Sequence, residues 1–354
     1  MTSLSIYLLT ALAIVAASRA TPMAFVLPRQ AMPTNTTTAN STKAGLAWPN
    51  GNTVDMSQYE SSGKVSWYYT WSAFPANSTL EYVPMFWGEK VVDQFSATIE
   101  QTLASTKNIT AVLGMNEPDQ GGQSNIPPQT GVQLWTTYME PLRAKGLRLG
   151  SPALSSAPAG KTWLQDFFTA CNGTCNVDFI ALHWYGTDAQ AFIAYLEDYH
   201  NTFQKPLWVT EWACQNFVDS NAQCSPEGVV QFLNVTQSFM DATDYVERYS
   251  WYGAMPNTGD VNPSNALMDT TGHINALGDQ YIAASQPLAN TSSPTGSNAT
   301  GVNPNTGGVT KGGSGGGGGG SPTITTSQTS SLSISFWQTV AAIIILNAAL
   351  LSSF

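Results

Sequence analysis

Short apolar runs alternate with longer amphipathic stretches from residue 44 to residue 285. Eight runs read as strands: AGLAW (44–48), KVSWYYTW (64–71), LEYVPMFW (80–87), ITAVLGMNE (109–117), LRLGSPAL (147–154), VDFIALHWYG (177–186), PLWVTEWA (206–213) and VERYSWYGAM (246–255). Helical periodicity fills most of the intervals, at 90–106, 129–146, 161–171, 188–204 and 226–243, with a last segment at 274–285. Asp188 stands ready as an N-cap before AQAFIAYLEDYH. Strands alternating with helices over about 240 residues predict one α/β domain, a (β/α)8 TIM barrel. The second connection departs from the pattern, because the stretch between Trp71 and Leu80 is too short for a full helix. A doubly wound open sheet is the alternative, but no glycine-rich phosphate loop follows the first strand.

Both flanks lose this alternation. Residues 1–20 carry an apolar run, LSIYLLTALAIVAA, followed by small residues at Ser18 and Ala20, which is the form of a signal peptide; a membrane anchor is the alternative. Residues 21–43, rich in Pro, Thr and Asn, read as a glycosylated leader. Residues 286–331 read as a flexible Ser/Thr/Gly-rich stalk. The tail at 332–354 is apolar, follows a polar spacer and carries no basic residue, so a glycolipid (GPI) anchor signal is expected, with attachment at Gly320 or Ser321. A single-pass membrane helix would ordinarily carry cytoplasmic Lys or Arg. Asn-X-Ser/Thr sequons at Asn35, Asn40, Asn77, Asn108, Asn172, Asn234, Asn290 and Asn298 agree with secretion to the cell surface or wall.

Charge narrows the partners. A formal net charge of -10 argues against nucleic acid or an anionic membrane surface, leaving a glycolipid anchor as the expected membrane contact. The 11 Trp and 13 Tyr suit a neutral partner instead.

Against only 10% charged residues, two apolar runs ending in glutamate stand out, GMNEPD with Glu117 and LWVTEWA with Glu211. Alternation along a strand places Met115, Leu113 and Ala111 on the side of Glu117, and Val209 and Leu207 on the side of Glu211. Both acids then emerge from the inner wall at the C-terminal strand ends, where barrel enzymes keep their chemistry. Buried acids satisfied by arginine are the bland alternative, but Lys and Arg total only 13. Paired carboxylates suit glycosidic cleavage, one protonating the leaving oxygen and the other attacking the anomeric carbon.

Aromatic residues point to a sugar. Trp48, Trp71, Trp87, Trp184, Trp212 and Trp251 each fall near the end of a predicted strand, where an indole can stack on a pyranose face; packing between strand and helix is the alternative for each. His183 and Tyr185 share the inward face of the sixth strand, His183 as a structural donor. No metal or cofactor site is expected: His183, His200 and His273 lack ligand spacing, and GGSGGGGGG lacks the Lys-Ser/Thr of a phosphate loop. In the barrel, Cys171 and Cys175 flank a bottom loop while Cys214 and Cys224 share a top loop, so the expected disulfides are Cys171–Cys175 and Cys214–Cys224.

GLAW, GMNEPD, HWYG and WVTEWAC together resemble fungal glycoside hydrolase family 128, the group with an alkali-sensitive-linkage-protein-like catalytic domain, over roughly residues 44–285. The resemblance implies a (β/α)8 barrel acting on β-1,3-glucan with retention. It also implies Glu117 as acid/base, Glu211 as nucleophile, Asn116 bonded to the sugar 2-hydroxyl and Tyr185 as a partner of the nucleophile. The expectation is a monomeric, cell-surface β-1,3-glucanase, endo-acting. A non-catalytic glucan-binding wall protein and a remodelling transglycosylase are the competing readings.

Overall fold

The computed structural model describes residues 42–283. The expected signal peptide, stalk and anchor tail lie outside these residues, as do the sequons at Asn35, Asn40, Asn290 and Asn298 and nearly all of the leader.

Eight strands lie where the apolar runs are: β1 (Ala44–Ala47), β2 (Val65–Tyr69), β3 (Glu81–Tyr82), β4 (Ala111–Val112), β5 (Arg148–Leu149), β6 (Ile180–Gly186), β7 (Leu207–Cys214) and β8 (Val246–Trp251). The helices are α1 (Val92–Ser105), α2 (Pro128–Leu134), α3 (Glu140–Arg143), α4 (Pro158–Cys171), α5 (Ala189–Phe203), α6 (Pro226–Ala242) and α7 (Ala276–Ile282). Every strand pair is parallel, in a six-stranded sheet of order β3-β2-β1-β8-β7-β6 and a two-stranded sheet β4-β5. Single parallel bridges connect the two sheets, Met85–Leu113 on one side, Gly150–Phe179 and Leu154–Leu182 on the other. The result is an α/β fold around parallel strands.

Several strands are shorter than their apolar runs, for local reasons. Pro84 has no N–H for a ladder and ends β3 early. Pro152 does the same beyond β5. The stretch predicted as one helix over 129–146 is α2 and α3 joined by a π-turn at Trp135–Met139. Pro141, which cannot donate to the carbonyl of Thr137, lies just past that turn. Between β2 and β3 the chain runs as a loop, as its length requires.

Capping and burial explain the longer helices. Asp188 accepts from the N–H groups of Gln190 and Ala191, and α5 buries Phe192, Leu196 and Tyr199 at helical spacing. Ser225 caps α6, which begins at Pro226 and buries Val229, Phe232, Leu233, Thr236 and Met240. All eight positions of β7 are buried, as expected of a parallel strand covered on both faces.

The interior is identified by rings that meet across non-neighbouring strands. Trp67 of β2 and Trp208 of β7 are separated in the sheet by β1 and β8, yet their centroids lie 5.4 Å apart. Phe179 stacks on Trp208 at 3.9 Å. A Cβ on Gly45 would come within 2.2 Å of the Trp67 ring, so only glycine fits beneath that indole. Arg248 lies 4.4 Å over Trp208 and pairs with Glu81 at 2.5 Å; Arg148 pairs with Glu247 at 2.8 Å. Four charged groups thus close this end of the interior, near the strand N-termini. Arg148 and Arg248 are paired there, and among the described residues no arginine pairs with Glu117 or Glu211.

Trp208 also corrects the face assigned on β7. In an unbroken strand Trp208 and Glu211, three apart, would face opposite ways. Leu182 pairs with Val209 but His183 pairs with Glu211, so one extra residue, Thr210, bulges out of register. Pairing with β8 slips at the same place. Trp208 and Glu211 therefore share the interior face, while Leu207 and Val209 do not. The displaced Thr210 carbonyl accepts the Tyr69 hydroxyl at 3.0 Å and the Ser250 hydroxyl at 2.6 Å, which holds the bulge in place.

Trp212, next to Glu211, turns outward, donating its indole N–H to Thr236 of α6 and meeting Trp251 edge-on at 5.0 Å. Trp212→Ala is expected to destabilise the fold by about 3–5 kcal/mol through the cavity it leaves. Urea unfolding measures this; a loss below about 1 kcal/mol would contradict the packing role.

Candidate active site

Glu117 from the turn after β4, His183 from within β6 and Glu211 from within β7 present donor or acceptor atoms within 4.8 Å of one another. Each is buried, His183 completely. His183 Nδ1 shares a hydrogen bond with Glu117 Oε1 at 2.9 Å and lies 3.5 Å from Glu211 Oε2. Among the described residues, the ion-pair partner of both acids is this histidine, not a lysine or arginine.

Glu211 is fixed by two neutral donors. The Trp71 indole N–H donates to Oε1 at 2.7 Å, and the Tyr185 hydroxyl donates to Oε2 at 2.6 Å. Each oxygen thus receives one bond and keeps lone pairs for chemistry. Trp71 reaches this position through a left-handed backbone at φ 53°. A bulky residue adopts that region at a cost of about 1–3 kcal/mol, which the surrounding contacts must offset.

Glu117 is held differently. The last paired residue of β4 is Val112, with single bridges at Leu113 and Asn116, and Glu117 itself sits at φ 38° immediately before Pro118. Strand alternation has ended before this residue, so its direction comes from the turn. The turn is fastened by Glu117 N–H to the Ala153 carbonyl at 2.7 Å and by Asn116 N–H to the Trp87 carbonyl at 2.9 Å. Asp119 accepts from the Ser155 N–H and hydroxyl, tying the turn to the segment after β5.

Electrostatics acts on Glu117 and His183. Burial pushes the Glu117 carboxyl up; the hydrogen bond and charge of His183 oppose this, the charges of Glu211 and Asp119 add to it, and the net position is above the ordinary carboxyl range. For His183, burial pulls the imidazole down, but the charges of Glu211 and Glu117 and the bond to Glu117 outweigh it and raise its pKa. The site thus contains a carboxyl biased towards its protonated form beside a carboxylate locked by two donors. A buried acid held towards its protonated form, beside a second acid fixed in place by two donors, can serve as proton donor with that second acid as nucleophile. Glu117, His183 and Glu211 are also side chains of metal-ligand type, but their facing atoms are already engaged with one another or with Trp71 and Tyr185.

Of the other expected site residues, Asn116 lies beside Glu117, with its Nδ2 donating to Gln123 at 3.2 Å and its buried Oδ1 without a partner among the described residues. Trp87 is partly buried, with the Lys90 ammonium 5.5 Å from its ring. Four tryptophans are not at the site. Trp48 is fully buried against Tyr59, with its N–H on the Gly51 carbonyl. Trp184 packs on Phe192 and Tyr195 of α5. Trp212 and Trp251 are fully buried, Trp251 donating to the Asn265 carbonyl. For these four the strand-to-helix or loop packing alternative holds, because the face opposite the acids is where the helices lie.

Two aromatic neighbours escaped the sequence pattern. Tyr69 shares the inward parity of Trp67 and Trp71, a signal present in WYYTW. Tyr252, one residue past β8, meets both Trp71 and Tyr185 edge-on, and no periodicity marks it. Disulfides join Cys214 to Cys224, beyond Glu211, and Cys171 to Cys175, at the end of α4.

A family profile described as glycosyl hydrolase catalytic core matches residues 45–281. The chain is similar to the crystal structure of a glycoside hydrolase family 128 (subgroup II) endo-β-1,3-glucanase from Sorangium cellulosum, with 30% identity, a TM-score of 0.59, and coverage of 69% of this chain and 99% of that one. It is similar to a subgroup I endo-β-1,3-glucanase from Amycolatopsis mediterranei in complex with laminaritriose, with 30% identity, a TM-score of 0.57 and coverage of 69% and 100%. A subgroup VI exo-β-1,3-glucanase from Aureobasidium namibiae follows at 26% identity, a TM-score of 0.59 and coverage of 68% and 96%. In sequence it is 35% identical over 256 residues to Alkali-sensitive linkage protein 1 of Schizosaccharomyces pombe, a match that takes in 69% of this chain and only 45% of that relative. These matches define a glycoside hydrolase. The chain belongs to the glycosyl hydrolase catalytic core family and, within it, to family 128, a family of β-1,3-glucanases.

Proposed function

We propose that this chain is a retaining endo-β-1,3-glucanase that works through Glu117 and Glu211. The observation that carries the reading is the approach of the two acids to within 4.8 Å, with their environments split as described. Retaining glycosidases keep their carboxyls about 5–5.5 Å apart, whereas inverting ones need about 6.5–9.5 Å to admit a water. In this mechanism Glu117 gives its proton to the glycosidic oxygen as Glu211 attacks the anomeric carbon, forming a glycosyl ester. Glu117, now ionised, takes a proton from water, which attacks the same carbon and releases Glu211. Trp71 and Tyr185 position the nucleophile, and Asn116 Oδ1 is placed to accept from the sugar 2-hydroxyl.

We read the eight strands as a (β/α)8 barrel, a reading supported by the parallel bridges that link the two sheets on both sides. The glutamates then sit at the C-terminal mouth, the location of active sites in that fold. The flanking sequence supports secretion and glycolipid anchorage at a cell surface or wall, with β-1,3-glucan as the partner and the enzyme acting as a monomer. Incubating the purified protein with soluble β-1,3-glucan and defined oligosaccharides tests this. Internal cleavage gives a ladder of products; release of single sugars from one end, longer products from transfer, or binding without turnover would each displace it.

His183 tunes this cycle. Since its bond and charge favour ionised Glu117, His183→Asn leaves burial less opposed and keeps Glu117 protonated to higher pH. The alkaline limb of the kcat profile is expected to move upward while kcat falls. An unmoved limb, or one shifted down, would remove His183 from this role.

A further inference from the structure

Phe217 and Val218 are 59% and 98% exposed, at the tip of the loop after β7. This tip is built rather than loose. The Cys214–Cys224 disulfide closes its base. Asn216 Oδ1 accepts from the N–H groups of Val218 and Asp219, both at 2.9 Å. Gln223 bonds the Asn216 backbone on both sides, accepting from its N–H at 3.0 Å and donating to its carbonyl at 2.6 Å. Gln215 Oε1 accepts from the Asn262 N–H at 2.6 Å and ties the loop to the next segment.

The exposed ring continues a line that begins at Glu211. Trp71 meets Tyr252 at 6.1 Å, Tyr252 meets Tyr185 at 5.8 Å, and Tyr185 meets Phe217 at 5.2 Å. The first and third of these side chains bond the Glu211 carboxylate directly. Beside Phe217 lies a recess of 310 Å³, lined also by Gln215, Asn216, Gln223, Asp260 and Asn262. An aromatic face flanked by amides and a carboxylate matches a sugar, whose C–H face stacks while its hydroxyls bond.

We propose that the 215–223 loop is a distal sugar subsite, with Phe217 stacking on a pyranose of the glucan chain that reaches Glu211. The inference rests on the glucanase reading and specifies what the ring adds: Tyr185 links Glu211 at 2.6 Å to Phe217 at 5.2 Å, so Phe217 contacts a neighbour of the sugar held at the acids, and a lone monosaccharide at the acids does not need it. The alternative occupant of the exposed tip, a protein partner, makes no such demand on glucan length.

The test is titration of glucose and laminarihexaose into Glu211→Gln, alone and combined with Phe217→Ala or Phe217→Trp. Removing the ring is expected to weaken hexaose binding about three- to tenfold, with little effect on glucose, and Phe217→Trp to keep hexaose binding near that of Glu211→Gln alone. Thermal melts of the variants check folding. Equal affinities with and without the Phe217 ring, while both sugars still bind, would overturn the subsite and leave the glucanase reading standing. Failure of Glu211→Gln to bind either sugar would overturn both.

Discussion

Glu211→Gln is expected to reduce hydrolysis of β-1,3-glucan by about four orders of magnitude or more while the protein stays folded. An amide cannot form the glycosyl ester, so the route through a covalent intermediate closes altogether. Gln keeps the volume of Glu and one carbonyl oxygen, so the contacts from Trp71 and Tyr185 at 2.7 and 2.6 Å lose one acceptor at most. Rates on soluble glucan, with the melting temperature as control, measure this. A variant keeping more than about a hundredth of the activity would point to a different nucleophile.

Glu117→Gln has two effects, and their combination is diagnostic. The first is kinetic. Loss of the proton donor is expected to cost about 10²–10⁴ in kcat on glucan, and far less on an aryl glycoside whose leaving group departs without protonation. The second is on stability. The folded-state pKa of Glu117 lies above its ordinary value of 4.5, mainly through burial. Below that value the acid is protonated in both states and burial of charge costs nothing. As the pH rises through the folded-state pKa, the unfolded chain ionises more readily, so the stability carried by the protonated acid is lost. Wild type is therefore expected to melt progressively lower than Glu117→Gln as the pH climbs above the ordinary carboxyl value of 4.5. Parallel melting curves across that range would contradict the environment assigned to Glu117.

The sequence made the acids legible because each ends an apolar run in a chain with few charges. It located the strands too, since parallel strands covered on both faces read as unbroken apolar segments. Strand alternation alone does not aim the two acids. On β7 it assumed an unbroken register, and the bulge at Thr210 puts Trp208, not Val209, on the face of Glu211. On β4 it assumed a strand running to Glu117, whereas a left-handed turn aims that side chain. A bulge and a positive φ are backbone events with no hydrophobic signature, so pattern cannot show them.

The tryptophan rim failed for a reason that alternation itself contained. Trp184 follows His183 and Trp212 follows Glu211; if the acid and histidine face inward, their neighbours face the helices. Trp71 lies beside Glu211 and donates its indole N–H to it. Tyr252 and Phe217 belong to loops whose course depends on contacts distant in sequence, including the Cys214–Cys224 bond and the Gln215–Asn262 contact.

The central claim, that two closely spaced carboxyls perform a double displacement, is tested most directly by following the first-formed anomer. Proton NMR of a β-1,3-oligosaccharide during hydrolysis resolves the anomeric signals before mutarotation mixes them. The account predicts that the β-anomer appears first, with the α-anomer growing in later. An α-anomer formed first would mean inversion, and would contradict the assignment of Glu211 as nucleophile.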